Sequence, residues 1–159
     1  MDDITIARAL HVLAVVHWIG GVAMVTAVIL PAVGSTAEPS RRLALFEVVE
    51  GRFSNQAKVS VTLAGLSGFY MADRLAAWDR FADPAFWWMH AMVLVWALFT
   101  VVLFVAEPLF LHAWFRRAAA RNAGATFAFV RHAHWALLTL SAVTIGAAVT
   151  VIIAAPLLL

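Results

Sequence analysis

The chain has 159 residues, 64% of them hydrophobic and 13% charged, with a net charge of +2 and no cysteine. A soluble domain is nearer half apolar and about one quarter charged, so a single water-soluble globule is excluded. The missing cysteines exclude disulfides, iron–sulfur clusters and thiolate metal sites. The mean hydropathy is +0.92, and three runs, 9–37, 84–106 and 132–159, carry no Asp, Glu, Lys or Arg. Each exceeds the ~20 residues that a helix needs to cross ~30 Å of hydrocarbon, and the class that follows is an integral membrane protein.

No cleavable signal peptide is expected, because the first run is too long for one and Met1-Asp2-Asp3 is not a basic leader. The pattern predicts an all-α, four-helix membrane bundle forming one transmembrane domain over 1–159. The first helix covers about 5–30 and ends at Pro31. A polar loop follows, in which "FEVVEGRF" has the character of a short interfacial helix. The second helix, about 56–77, is the weakest, since only 59–72 is free of charge. It crosses if Lys58 snorkels to one interface and Asp73 and Arg74 lie in the other. The third helix, about 85–115, starts behind Asp83-Pro84 and is expected to kink at Pro108. The fourth covers about 131–157.

Orientation follows from the Lys and Arg count. One side holds eight (Arg41, Arg42, Arg52, Lys58, Arg116, Arg117, Arg121 and Arg131) and the other three (Arg8, Arg74 and Arg80). The richer side is read as cytoplasmic, which places both termini and the "DRFADP" turn outside, the periplasm of a bacterial cell. Trp78, Trp87 and Trp88 mark that outer interface. The basic residues flank apolar runs and are topology signals, not a nucleic-acid patch.

The histidines then acquire depths. His11 is eight residues below Asp3, roughly 12 Å at the helical rise, and His90 is seven below Asp83, roughly 10 Å. Two imidazoles level with each other on different helices suit axial ligation of heme b. Gly20 and Gly21 on the first helix, with Gly65 and Gly68 on the second, would open space for the macrocycle. The plainer alternative is that the glycines only let helices approach and the histidines hydrogen-bond across the bundle. His11 and Trp18 share a face, seven residues apart. His17 points elsewhere, toward a hydrogen bond that orients a ligand, a quinone contact or an interhelical hydrogen bond, the last being the default. At the inner end, His112 and His134 allow a second heme. The 22 residues from His90 to His112 span about 33 Å of helix, which argues against a two-heme wire and for His112, Trp114, Arg116 and His132 as interfacial residues. Glu107 is expected at the interface, paired with an arginine. Met89 and Met92 flank His90 and keep copper open as the alternative metal, against a role as core filler. No phosphate loop, hydrolase triad or zinc-protease motif is present.

"RALHVLAVVHWIGG" resembles the opening helix of two related membrane families, the HemJ-type protoporphyrinogen oxidases and the CopD-type copper-resistance domain. The shared features are His11, Trp18 seven residues on, and Gly20-Gly21. "WWMHAM" resembles the start of the HemJ-type third helix, "FLH" at 110–112 falls near a later family histidine, and "VTLAGLSGFYM" is loosely similar in the second helix. The resemblance implies a membrane bundle binding heme b, with His11 as a ligand and His90 as the third-helix histidine. Two departures separate heme binding from the family's oxidase activity. Met92 stands where the family has Lys, and "FVRHAHWALL" replaces its polar fourth-helix motif.

The reading that results is a cytochrome b-like, multi-pass protein of the cell inner membrane. It would transfer single electrons, with quinol in the bilayer and a redox partner at the outer face as candidate partners. A copper-handling membrane protein is the second reading and a structural or assembly subunit the third. No catalytic residue is assigned, and a homo-oligomer is left open.

Overall fold

A computed structural model describes residues 2–35 and 38–154, with side chains for all of these except 39, 40 and 152–154. Four long helices run alternately up and down: α1 (Asp3–Gly34), α2 (Pro39–Arg74), α3 (Pro84–Arg121) and α4 (Ala123–Ala154). There is no strand among the described residues. Three helices, α1, α3 and α4, are long and apolar enough to cross a membrane. The all-α, four-helix expectation is therefore borne out. We call the two ends of the bundle the Asp3 end and the Arg121 end.

The helices begin where local chemistry favours it. Asp2 accepts the Ile4 N–H at the start of α1, and Asp83 accepts the Ala85 N–H (2.8 Å) ahead of α3. Each satisfies one donor that a first turn leaves free. Pro39 occupies the first turn of α2, where its missing N–H costs nothing. Beyond α2 the chain reverses through Ala76, whose φ of 47° is left-handed, and the Ala77 N–H returns to Ala72 O (2.8 Å). A single 3-10 turn, Trp78–Ala82, leads into α3.

The expected stop at Pro31 moves, and the expected kink at Pro108 falls in a π-helical stretch. Pro31 does not end α1, which continues to Gly34 after a π-helical stretch, Val25–Ile29. Pro108 lies inside a longer π-helical stretch, Val102–Leu111, within α3. Proline clashes with the carbonyl four residues back and removes a donor. In both helices the widened turns sit at or just before the proline, and the helix carries on. The third difference is α2, which is one helix of 36 residues, about 54 Å long. "FEVVEGRF" is part of it and not a separate segment. Its Glu, Arg, Leu and Ala are good helix formers, so charge there marks a change of surroundings and not a helix end.

The interior has two apolar clusters. Trp18, Val22, Ala57, Val61, Val95 and Phe99 join α1, α2 and α3, with Leu137 and Leu138 of α4 packed against them. Nearer the Arg121 end, Val25, Leu30, Leu43, Phe46, Phe115, Phe127 and Val130 form the other. The outward faces stay apolar, with Leu13, Leu66, Leu94 and Leu109 all more than 60% exposed. An apolar exterior of this extent needs a partner other than water.

Candidate functional site

The α1–α2 seam is lined by small residues. Ala7 and Ala14 of α1 and Ala57 and Ala64 of α2 are buried, which lets the backbones approach. His11 enters this seam. Its Nδ1 donates to the Ala64 carbonyl (2.9 Å) and lies 3.2 Å from Ser67 Oγ. Gly68 makes room, since a Cβ there would come within 3.1 Å of His11 Cε1. A carbonyl can only accept, so the proton resides on Nδ1 and the lone pair on Nε2. Ligating histidines are commonly held by such a hydrogen bond.

The rest of the expected pair is placed differently. His90 is exposed, gives Nε2–H to Phe81 O (3.0 Å), and packs edge-on against the Phe81 ring (5.3 Å between centroids). It is committed to the turn between α2 and α3, whereas His11 is committed to α2. The notch at Gly65 is filled by the indole of Trp96, 2.6 Å from where a Cβ would stand, and Trp96 Nε1 donates to Val61 O (2.9 Å). Phe53 fills the notch at Gly21, and Gly20 has nothing within 4 Å of a Cβ. Three of the four glycines thus accommodate side chains and do not open a slot between His11 and His90. His11 has the hydrogen-bonded posture common among ligating histidines, whereas His90, expected as its partner from depth and from the resemblance, is hydrogen-bonded to Phe81 O. Trp18 is 4% exposed and meets Phe99 edge-on (4.8 Å), and its Nε1 is buried without a hydrogen-bond partner.

His17 makes an interhelical hydrogen bond, Nδ1 to Ser60 Oγ at 2.8 Å. The remaining histidines turn onto their own helices. His112 Nδ1 donates to Glu107 O (2.8 Å), His132 to Ala128 O (2.7 Å) and His134 to Val130 O (2.9 Å). His134 also lies edge-on to Phe46 (5.6 Å). Among the described residues no group of three or more His, Asp or Glu is placed to hold a metal ion.

Sequence reasoning missed a second polar site. Glu107, in the π-helical stretch of α3, is 8% exposed. Its Oε2 accepts from Ser54 Oγ (2.5 Å) and lies 3.3 Å from Lys58 Nζ. Its cation is therefore Lys58 of α2 and not an arginine at an interface, and Lys58 reaches across to α3. Glu50, one turn before Ser54, is half-buried. Burial, and then the Glu107 carboxylate, push its pKa above the usual 4.5, against smaller opposing effects of His112 and Lys58. The available signal was the stripe Glu50, Ser54, Lys58 at i, i+4, i+8, which puts three polar groups on one helix face.

No family model, curated protein or solved structure matches the chain.

Proposed function

We propose that the protein is a multi-pass membrane protein in which all four helices cross the bilayer and His11 serves as a ligand to heme b. Both termini and the turn at 78–86 face outward, on the count of eight basic residues against three. In a bacterium this would be the inner membrane with the termini in the periplasm. For α2, the stretch from Lys58 to Arg74 spans about 24 Å, and its Ser60 and Ser67 are buried. At the outer end Arg74 meets Asp3 (3.0 Å) and Tyr70 donates to the same carboxylate (2.8 Å), levelling the start of α1 with the end of α2.

One observation carries the ligand assignment: Nδ1 of His11 is tied to Ala64 O, which leaves the Nε2 lone pair uncommitted. A carbonyl acceptor on Nδ1 raises the basicity of Nε2 and fixes the ring's tilt, and Gly68 admits the ring at that position. His90 would have to release Phe81 O to join it, so the reading rests on His11. Bound heme supplies a one-electron iron couple, whose potential the ligand and its burial set. Quinol in the bilayer is the donor this reading favours, with an acceptor at the outer face.

Absorption of protein purified from membranes tests it. A heme spectrum with a Soret band that shifts on reduction is expected, abolished by His11→Ala and retained in His132→Ala. A colourless preparation that takes up copper replaces this reading with a copper-handling protein. A colourless, metal-free one leaves a structural subunit.

A further inference from the structure

At the Asp3 end a groove of about 480 Å³ opens between α1 and α2. Two stripes of equal spacing line it, positions 3, 6, 7 and 10 on α1 and 63, 66, 67 and 70 on α2. Residues at i, i+3, i+4 and i+7 share one helix face. The stripes run in opposite directions, so Asp3 meets Tyr70 across the mouth. Buried Ala7 and Ser67 make the floor, and their small side chains are why a groove is there. Ile6, Leu10, Leu63 and Leu66 make the sides, each more than 40% exposed. Ser67 returns its hydroxyl to Leu63 O (2.6 Å). The groove is thus apolar for about 10 Å and charged at one end.

The charged end has donors to spare and no acceptor. Asp3 Oδ1 takes the Ile4 N–H (2.9 Å), and Oδ2 takes the Tyr70 hydroxyl (2.8 Å) and lies 3.0 Å from Arg74 Nη2. That carboxylate is fully engaged. A guanidinium has five N–H donors, and the Arg74 side chain, held at the mouth through Nη2, is 54% exposed. Its planar fork matches a phosphate. Asp2 and Asp73, the sequence neighbours of this pair, are exposed. The Asp3 end as a whole has five Asp (2, 3, 73, 79 and 83) against three Arg (8, 74 and 80). A ligand of net negative charge is disfavoured there, whereas a phosphate that brings its own ammonium complements both signs.

We propose that this groove seats a zwitterionic, amine-headed phospholipid, with one acyl chain between α1 and α2, the phosphate on Arg74 and the ammonium toward the neighbouring acids. The site rests on the reading that all four helices cross the bilayer and is independent of heme at His11.

Tyr70 is the one tyrosine of the chain, so full-length protein containing 3-fluorotyrosine gives a single 19F resonance at the groove mouth. In detergent, short-chain phosphatidylethanolamine is expected to shift it saturably. Phosphatidylglycerol of the same chains binds more weakly, and the matching diacylglycerol and inorganic phosphate leave the resonance in place. Arg74→Gln weakens phosphatidylethanolamine about tenfold, the worth of one hydrogen bond to a charged group. Leu66→Trp fills the groove from an exposed position and weakens it as well, and Arg8→Gln does not. A shift that does not saturate, or one matched by diacylglycerol or inorganic phosphate, overturns the proposal. So does affinity unchanged in both Arg74→Gln and Leu66→Trp, or displacement of the lipid by a lower concentration of a short-chain quinol, which makes the groove a quinol site. Failure of the membrane reading is separate: the protein is then recovered in the soluble fraction without detergent.

Discussion

Around His11, α2 offers its backbone; around Glu107, the same helix offers side chains. At the first site a neutral imidazole gives its proton to the Ala64 carbonyl beside the notch at Gly68. At the second a carboxylate is held by a hydroxyl and an ammonium. The difference concerns what is left over. A neutral ring needs one acceptor and keeps a lone pair for chemistry. A buried charge needs a counter-charge, which Lys58 supplies here. One helix thus supports two kinds of polar site because its polar residues fall on two faces, Ser60 and Ser67 toward α1 and Ser54 and Lys58 toward α3.

The strongest way to break that contrast is Lys58→Met, which orphans the Glu107 carboxylate. Loss of one partner of a buried pair costs ~3 kcal/mol or more, read as a lowered unfolding midpoint in detergent. Adding Glu107→Gln should recover most of the loss. If the double variant is as unstable as the single one, the ion pair is not what holds this end together. A smaller effect is expected at the α2–α3 contact. Gly65→Ala would drive a methyl into the Trp96 indole and dislodge its bond to Val61 O, a loss of about 1–3 kcal/mol typical of overpacking. Gly20→Ala meets nothing within 4 Å and should gain up to ~1 kcal/mol of helix propensity. Tryptophan fluorescence together with unfolding distinguishes the two. The smallest effect belongs to His17→Ala, which removes a single interhelical hydrogen bond to Ser60, on the order of 0.6 kcal/mol in membrane helices. A cost above that of Gly65→Ala would show His17 to be more than a hydrogen-bond partner.

The helices were legible because apolar runs of this length leave few choices. Helix ends were less so. The charges of 41–52 read as loop chemistry, although Arg, Leu, Ala and Glu are also helix formers, and Pro31 read as a stop although wider turns carry the helix past it. For the sites, sequence supplied depth without azimuth. His11 and His90 come out level by counting residues, but which neighbour each ring meets depends on helix rotation, and Phe81 lies in a turn whose path no periodicity encodes. Lys58 and Glu107 were each read singly and each assigned to an interface. Their meeting requires the register of α2 against α3, which neither helix specifies alone. Only the stripe on α2 was there to be seen.

The π-helical stretch of α3 also has an evolutionary consequence. Each residue of an α-helix advances the chain by about 100°, so wider turns reset the rotation of everything that follows. A single-codon deletion within 102–111 that restored tight winding would turn the segment His112–Arg121 by about that angle. Phe115 would then leave its place against Phe46. This stretch should therefore tolerate exchange of one apolar residue for another far better than any change in its length.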